Sequence, residues 1–150
     1  MSKTITIFFA DDNALYLKNL ELTFNSKPYY NIKTFATAEL CIEALSLKPD
    51  LIILDYYLNS VEENAMDGLH ALKKIREINN TVPVVMLSTE EREDIAEKCM
   101  KHNATEFIIK GDISFARLRE IITMVFLDKQ IEGDLISSVH NAIRKEAGRA

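Results

Sequence analysis

Five short apolar runs, each followed by a longer segment of helical period, constrain this chain more than any other feature. The runs cover residues 5–10, 32–35, 51–54, 82–87 and 106–109. Leu51-Ile52-Ile53-Leu54 is apolar at every position, the pattern of a strand buried on both faces. Leu17, Leu20 and Phe24 form the first helical stripe, Leu40, Ala44 and Leu47 the second, and Ala71, Ile75 and Ile78 the third. Ile95, Cys99 and His102 mark a fourth, and Phe115, Leu118, Ile122 and Val125 a fifth. Pro49 and Pro83 stand near the starts of the third and fourth runs, where a missing N–H is tolerated. Thr37, Asp67 and the pair Ser88-Thr89, with Glu90 and Glu91 behind it, are placed to start helices. A β-α unit repeated five times predicts an α/β fold, a doubly wound parallel sheet with helices on both faces.

The five units end near residue 127, and 3–127 is read as one domain. Residues 128–150 carry a further helical pattern with Leu135, Ile136, Val139 and Ile143 on one stripe and Arg144, Lys145 and Arg149 near the end. It is expected to be a separate sixth helix, packed on its own domain or on a second copy, and too short to be an output domain.

Several function classes fall away. The four glycines, Gly68, Gly111, Gly133 and Gly148, cannot write G-x-G-x-x-G or a P-loop. A net charge of −5, from 18 Lys+Arg and 23 Asp+Glu, argues against a general nucleic-acid binder. Cys41 and Cys99 make neither a disulfide framework nor a C-x-x-C pair, and Cys99 with His102 is a weak metal candidate. The first apolar run stops at Asp11, too short for a signal peptide or membrane span, so a cytoplasmic protein is expected.

In open parallel sheets the site lies beyond the carboxyl ends of the strands. There the first run ends in Asp11-Asp12, the third in Asp55, the fourth in Ser88 and the fifth in Lys110. Three converging carboxylates repel one another unless a cation joins them. Mg²⁺ suits an all-oxygen set, and three carboxylates, one divalent ion and one lysine sum to zero. Such a site accepts a phosphoryl group, with a carboxylate as the nucleophile.

Phe8-Phe9-Ala10-Asp11-Asp12-Asn13, the apolar run into Asp55, Ser88, and Phe107-Ile108-Ile109-Lys110 together resemble the receiver domain of bacterial two-component response regulators. The resemblance covers residues 3–127 and implies a flavodoxin-like (βα)5 fold with strand order 2-1-3-4-5. It implies that Asp55 accepts a phosphoryl group from a histidine kinase or histidine phosphotransfer protein. Asp11 and Asp12 would hold Mg²⁺ with Asp55 and the backbone carbonyl of Tyr57. Ser88 and Lys110 would meet the phosphoryl group, and Ser88 and Phe107 would form the switch. The surface made by residues 90–126 would then engage an unknown downstream protein or a second copy of the chain, with no nucleic acid or membrane involved.

The chain departs from that family in three places. The segment from Asp55 to Asp67 is longer than usual, and the added region, 59–65, brings Glu62 and Glu63 near the site as a lid or a partner contact. Gly111 follows Lys110 where the family has proline. Tyr57 is bulky where side chains govern water access, and Glu90 faces it from the matching position, so slow self-dephosphorylation is expected. Two other classes use similar residues. A haloacid-dehalogenase-type phosphotransferase needs a second acid two residues past the nucleophile, where Tyr57 stands. A non-phosphorylated docking module would not need the full set of acids, hydroxyl and lysine. The reading is therefore a stand-alone switch, not an enzyme.

Overall fold

Strands β1 (Ile5–Ala10), β2 (Tyr30–Phe35), β3 (Leu51–Asp55), β4 (Val84–Ser88) and β5 (Glu106–Ile109) form one parallel sheet in the order β2-β1-β3-β4-β5. The computed structural model describes residues 3–62 and 64–148. Helices α1 (Ala14–Phe24), α2 (Ala38–Glu43), α3 (Gly68–Ile78), α4 (Glu93–Lys101) and α5 (Ser114–Ala147) connect the strands or follow them. This is the doubly wound sheet that the alternation predicts, in the flavodoxin-like order that the resemblance implies.

Side chains alternate between the two faces of a strand, so a run apolar at every position feeds two cores. Phe8, Ala10, Ile52 and Leu54 pack with Ala38, Cys41, Ala71, Ile75, Ile95 and Cys99 from α2, α3 and α4. Ile5, Ile7, Phe9, Leu51 and Ile53 pack with Leu20 and Phe24 of α1 and Leu118 and Ile122 of α5. Asn13, Thr37 and Asp67 cap α1, α2 and α3, each accepting from the backbone N–H three residues on.

Several local expectations are corrected. The second strand starts earlier, at Tyr30, and the fourth starts at Val84, because Val82 donates its N–H to the Asn79 side chain instead of a strand. The α2 stripe is shifted: Leu40 and Leu47 are exposed, while Ala38 and Cys41 are buried, and the helix tightens into a 3₁₀ turn at Ala44–Leu47. Ile78 is exposed at the end of α3. Helix α4 begins at Glu93 after Arg92, so Ser88 and Thr89 do not cap it. Cys99 is buried and His102 is exposed, and the two join no metal cluster among the described residues.

The C-terminal helical segment is present, but as a continuation of α5 rather than a sixth helix. Gly133 lies against the side chain of Lys3, just ahead of β1, where a Cβ would stand 2.5 Å from Lys3 Cε. Gln130 exchanges two hydrogen bonds with the Lys3 backbone, and Lys129 Nζ bonds Asp50 at 3.0 Å. Beyond Gly133 the helix leaves the domain, and all of the described residues 134–148 are exposed. The Leu135, Ile136, Val139 and Ile143 stripe therefore does not pack on its own domain. Arg149 lies outside the described residues, as does Glu63 in the 59–65 loop.

Candidate functional site

Strand register assembles the site. Ala10 pairs with Leu54, which sets Asp11 level with Asp55 across two adjacent strand ends. Ser88 pairs with Ile109, placing Lys110 one residue beyond it. Asp11, Asp12 and Asp55 each offer an oxygen, and the three atoms lie within 4.8 Å of one another. Together with Asn13, Tyr57, Ser60, Thr89, Glu90 and Lys110 they line an open cavity of about 310 Å³.

Lys110 is the positive member of this cluster. Its Nζ lies 2.7 Å from Asp11 Oδ2 and 3.3 Å from Asp55 Oδ1, and 4.2 Å from the centre of the Tyr16 ring. Burial works against its charge, but the bond to Asp11 and the charge of Asp55 outweigh it and raise its pKa. Asp55 is pushed up to about 6, first by burial and then by the charge of Asp11, against the pull of Lys110 and the Tyr57 backbone. A buried carboxylate cluster carrying one lysine is short of positive charge, and its donor set is all oxygen. That is the chemistry a hard divalent cation fits.

The inserted loop takes part directly. Asp12 Oδ2 accepts from the Ser60 amide at 2.9 Å, from the Ser60 hydroxyl, and from the Val61 amide at 3.1 Å. On its far side the loop is tied down by Glu39, which accepts from the Met66 amide at 2.7 Å. Gly68 lets α3 approach closely, since a Cβ would stand 2.3 Å from the Asp55 carbonyl oxygen.

The remaining candidates are placed as follows. Ser88 is fully buried, and its hydroxyl accepts from the Glu90 amide at 3.1 Å, turned toward that loop. Tyr57 lines the cavity with Glu90, and burial followed by that carboxylate raises its phenol. Phe107 is half-buried against the core of the α2–α4 face. Gly111 has open space around its Cβ position, and its amide donates to Ser114 Oγ at 3.3 Å. Sequence reasoning missed Ser60, Val61 and Tyr16. The length of the 59–65 insertion was the one signal for the first two, and nothing in the pattern around Tyr16 marks it.

Residues 7–123 match the family described as the response regulator receiver domain. The chain belongs to that family. It is 32% identical over 127 residues to protein-glutamate methylesterase/protein-glutamine glutaminase 3 of Leptospira interrogans, a match covering 83% of this chain and 35% of that one. It is 36% identical over 118 residues to the corresponding enzyme of Bacillus subtilis, covering 73% of this chain and 31% of the relative. The chain thus spans about a third of the length of these curated relatives. The solved CheY-like receiver domain protein of Methanospirillum hungatei superposes with a TM-score of 0.72 at 17% identity, over 87% of this chain and 99% of that one. No helix among the described residues is long and apolar enough to cross a membrane.

Proposed function

We propose that this chain is a cytoplasmic switch that takes a phosphoryl group onto Asp55 from the phosphohistidine of a histidine kinase or histidine phosphotransfer protein. The observation that supports this best is the gathering of Asp11, Asp12, Asp55 and Lys110 at one rim of the sheet. An Asp55 oxygen forms the new P–O bond as the donor's P–N bond breaks, and the electron pair leaves on the imidazole nitrogen. Asp11, Asp12, Asp55 and the Tyr57 carbonyl would hold Mg²⁺, which when bound neutralises charge on the transferring oxygens. Lys110, already between Asp11 and Asp55, pairs with a phosphoryl oxygen.

Ser88 exchanges its bond with Glu90 for one to the phosphoryl group. The 88–90 segment then moves, and Phe107, which has no polar atom, follows by packing alone. The surface of residues 90–126 changes shape for a downstream protein. Tyr57 stands where a haloacid-dehalogenase-type enzyme needs its second acid, which favours a stable aspartyl-phosphate over turnover.

Incubation with acetyl phosphate and Mg²⁺, followed by intact mass, tests the reading. One added phosphoryl group, absent in Asp55→Asn, is expected. Steady hydrolysis of phosphate esters would support the enzyme instead, and no mass change the docking module. For the switch, beryllofluoride is expected to shift amide NMR signals across 90–126. Unchanged signals there would sink it.

A further inference from the structure

We propose that Tyr16 is a positioning residue for phosphoryl transfer, its ring face holding the Lys110 ammonium in place while Asp11 and Asp55 are engaged in the reaction. The inference rests on the phosphoacceptor reading of Asp55 and adds to it a residue of α1. Lys110 Nζ stands over the Tyr16 ring, 4.2 Å from its centre. The lysine side chain is only 12% exposed, and a cation over an aromatic face gains most where water is excluded.

The start of α1 builds this contact. The Asn13 amide donates to Asp11 Oδ1 at 2.9 Å, and the Asn13 side chain accepts from the Tyr16 amide at 3.0 Å. Asp11 and Tyr16 are thereby tied together through one residue, and Lys110 meets both. The ring is braced in turn by Phe115 of α5, which packs on it edge to face with 5.9 Å between centres. The phenol hydroxyl takes no part in the hold. It is buried with no hydrogen-bond partner among the described residues. Burial raises its pKa against the pull of the Lys110 charge and of Ser114, so the phenol is neutral and Lys110 meets a ring face, not a phenolate.

Lys110 needs such support. A lysine stem is long and flexible, and phosphoryl transfer depends on where the charge sits. Gly111, next in the chain, meets nothing within 4 Å of its Cβ position, so it gives the stem no brace. At rest the ammonium is held by Asp11 at 2.7 Å and Asp55 at 3.3 Å. During transfer Asp55 is the nucleophile, and Asp11 is shared with the bound ion. Of these three neighbours, the Tyr16 ring alone keeps its bonding unchanged.

The test varies the electronics of the ring at constant shape. Tyr16→Phe keeps the face, deletes an unpaired polar atom and serves as the reference. The same variant with a pentafluorinated ring, whose face repels cations, is expected to take phosphoryl from acetyl phosphate about tenfold more slowly at saturating Mg²⁺. Mg²⁺ binding, read by calorimetry, should not weaken, because Asp11, Asp12 and Asp55 are untouched. Slowing that comes with weaker Mg²⁺ binding would mark a merely structural role and overturn the proposal. In the metal-free chain, the Lys110 ε-methylene NMR signals should lie upfield under the ring and move downfield in Tyr16→Leu. Signals that stay in place would count against the contact. If the parent chain takes up no phosphoryl group, the reading of Asp55 falls and this inference with it. If the parent is phosphorylated and the fluorinated ring reacts as fast as the reference, this inference alone falls.

Discussion

Ser60 grips one oxygen of Asp12 with both its backbone amide and its hydroxyl, from 48 residues along the chain. A residue in an inserted loop thereby orients a carboxylate of the candidate metal site, and outer partners of this kind fix ligand direction.

Ser60→Ala is expected to weaken Mg²⁺ binding about tenfold, the lower end of what losing such a partner costs. Isothermal titration calorimetry reads this directly. Phosphorylation at saturating Mg²⁺ should persist, because Asp55 and Lys110 are untouched. Equal or tighter binding in the variant would show that the loop does not support the site.

Asp55 has its pKa raised by burial and by Asp11 to about 6, above the ordinary 3.8. Its protonated form is thus favoured on folding. The stability this confers is complete below about pH 4 and is lost as pH rises through about 6. In Mg²⁺-free buffer at pH 7.5, Asp55→Asn should therefore be more stable than the parent by about 2 kcal/mol. Urea denaturation at pH 7.5 and pH 4 is the measurement, and the gap should close at the lower pH. A gap that widens toward pH 4 would contradict the sign.

The two glycines beside the site should answer substitution differently. Gly68→Ala forces a Cβ to 2.3 Å of the Asp55 carbonyl oxygen and 2.6 Å of Tyr56 Cα, so α3 must move outward. Thermal denaturation should show a loss of about 2 kcal/mol or more, with weaker Mg²⁺ binding. Gly111→Ala meets nothing within 4 Å and should change stability by less than about 0.5 kcal/mol.

Tyr57 and Glu90 both line the cavity, close enough for the carboxylate to raise the Tyr57 phenol. Trimming either to Ala should admit water and shorten the phosphorylated lifetime several-fold, followed by intact mass after the phosphoryl donor is removed. A lifetime that lengthens would reverse the role given to Tyr57.

Much of this arrangement was legible in the residue pattern, for a physical reason. Strands buried on both faces must be apolar at consecutive positions, so 51–54 announced itself, and the strand-end rule then pointed to Asp11, Asp12, Asp55, Ser88 and Lys110. Where burial is one-sided or short, the pattern blurs. Helix α2 has six residues, too few for a stripe to fix its phase, so the pattern points to Leu40 as core where Cys41 is. The fifth unit's end near 127 and Gly133 beyond it suggest two helices in place of one, since glycine weakens a lone helix. Here Gln130 and Gly133 meet Lys3 across the start of the chain, a contact no local pattern records. Ser60 was invisible for the same reason, since its partner is Asp12, far off in the chain.

Helix α5 is one unbroken rod of 34 residues, about 50 Å long, tied to the body where Gln130 and Gly133 meet Lys3. Its first turn, at Ser114, is bonded to Gly111 next to Lys110. Before the tether the helix is clamped into the core at Leu118, Ile121 and Ile122, and beyond it residues 134–148 run about 22 Å into solvent. In mechanical terms the helix is a cantilever: any tilt of the clamped half against the sheet carries the free end, near Ile143, with it in one rigid piece.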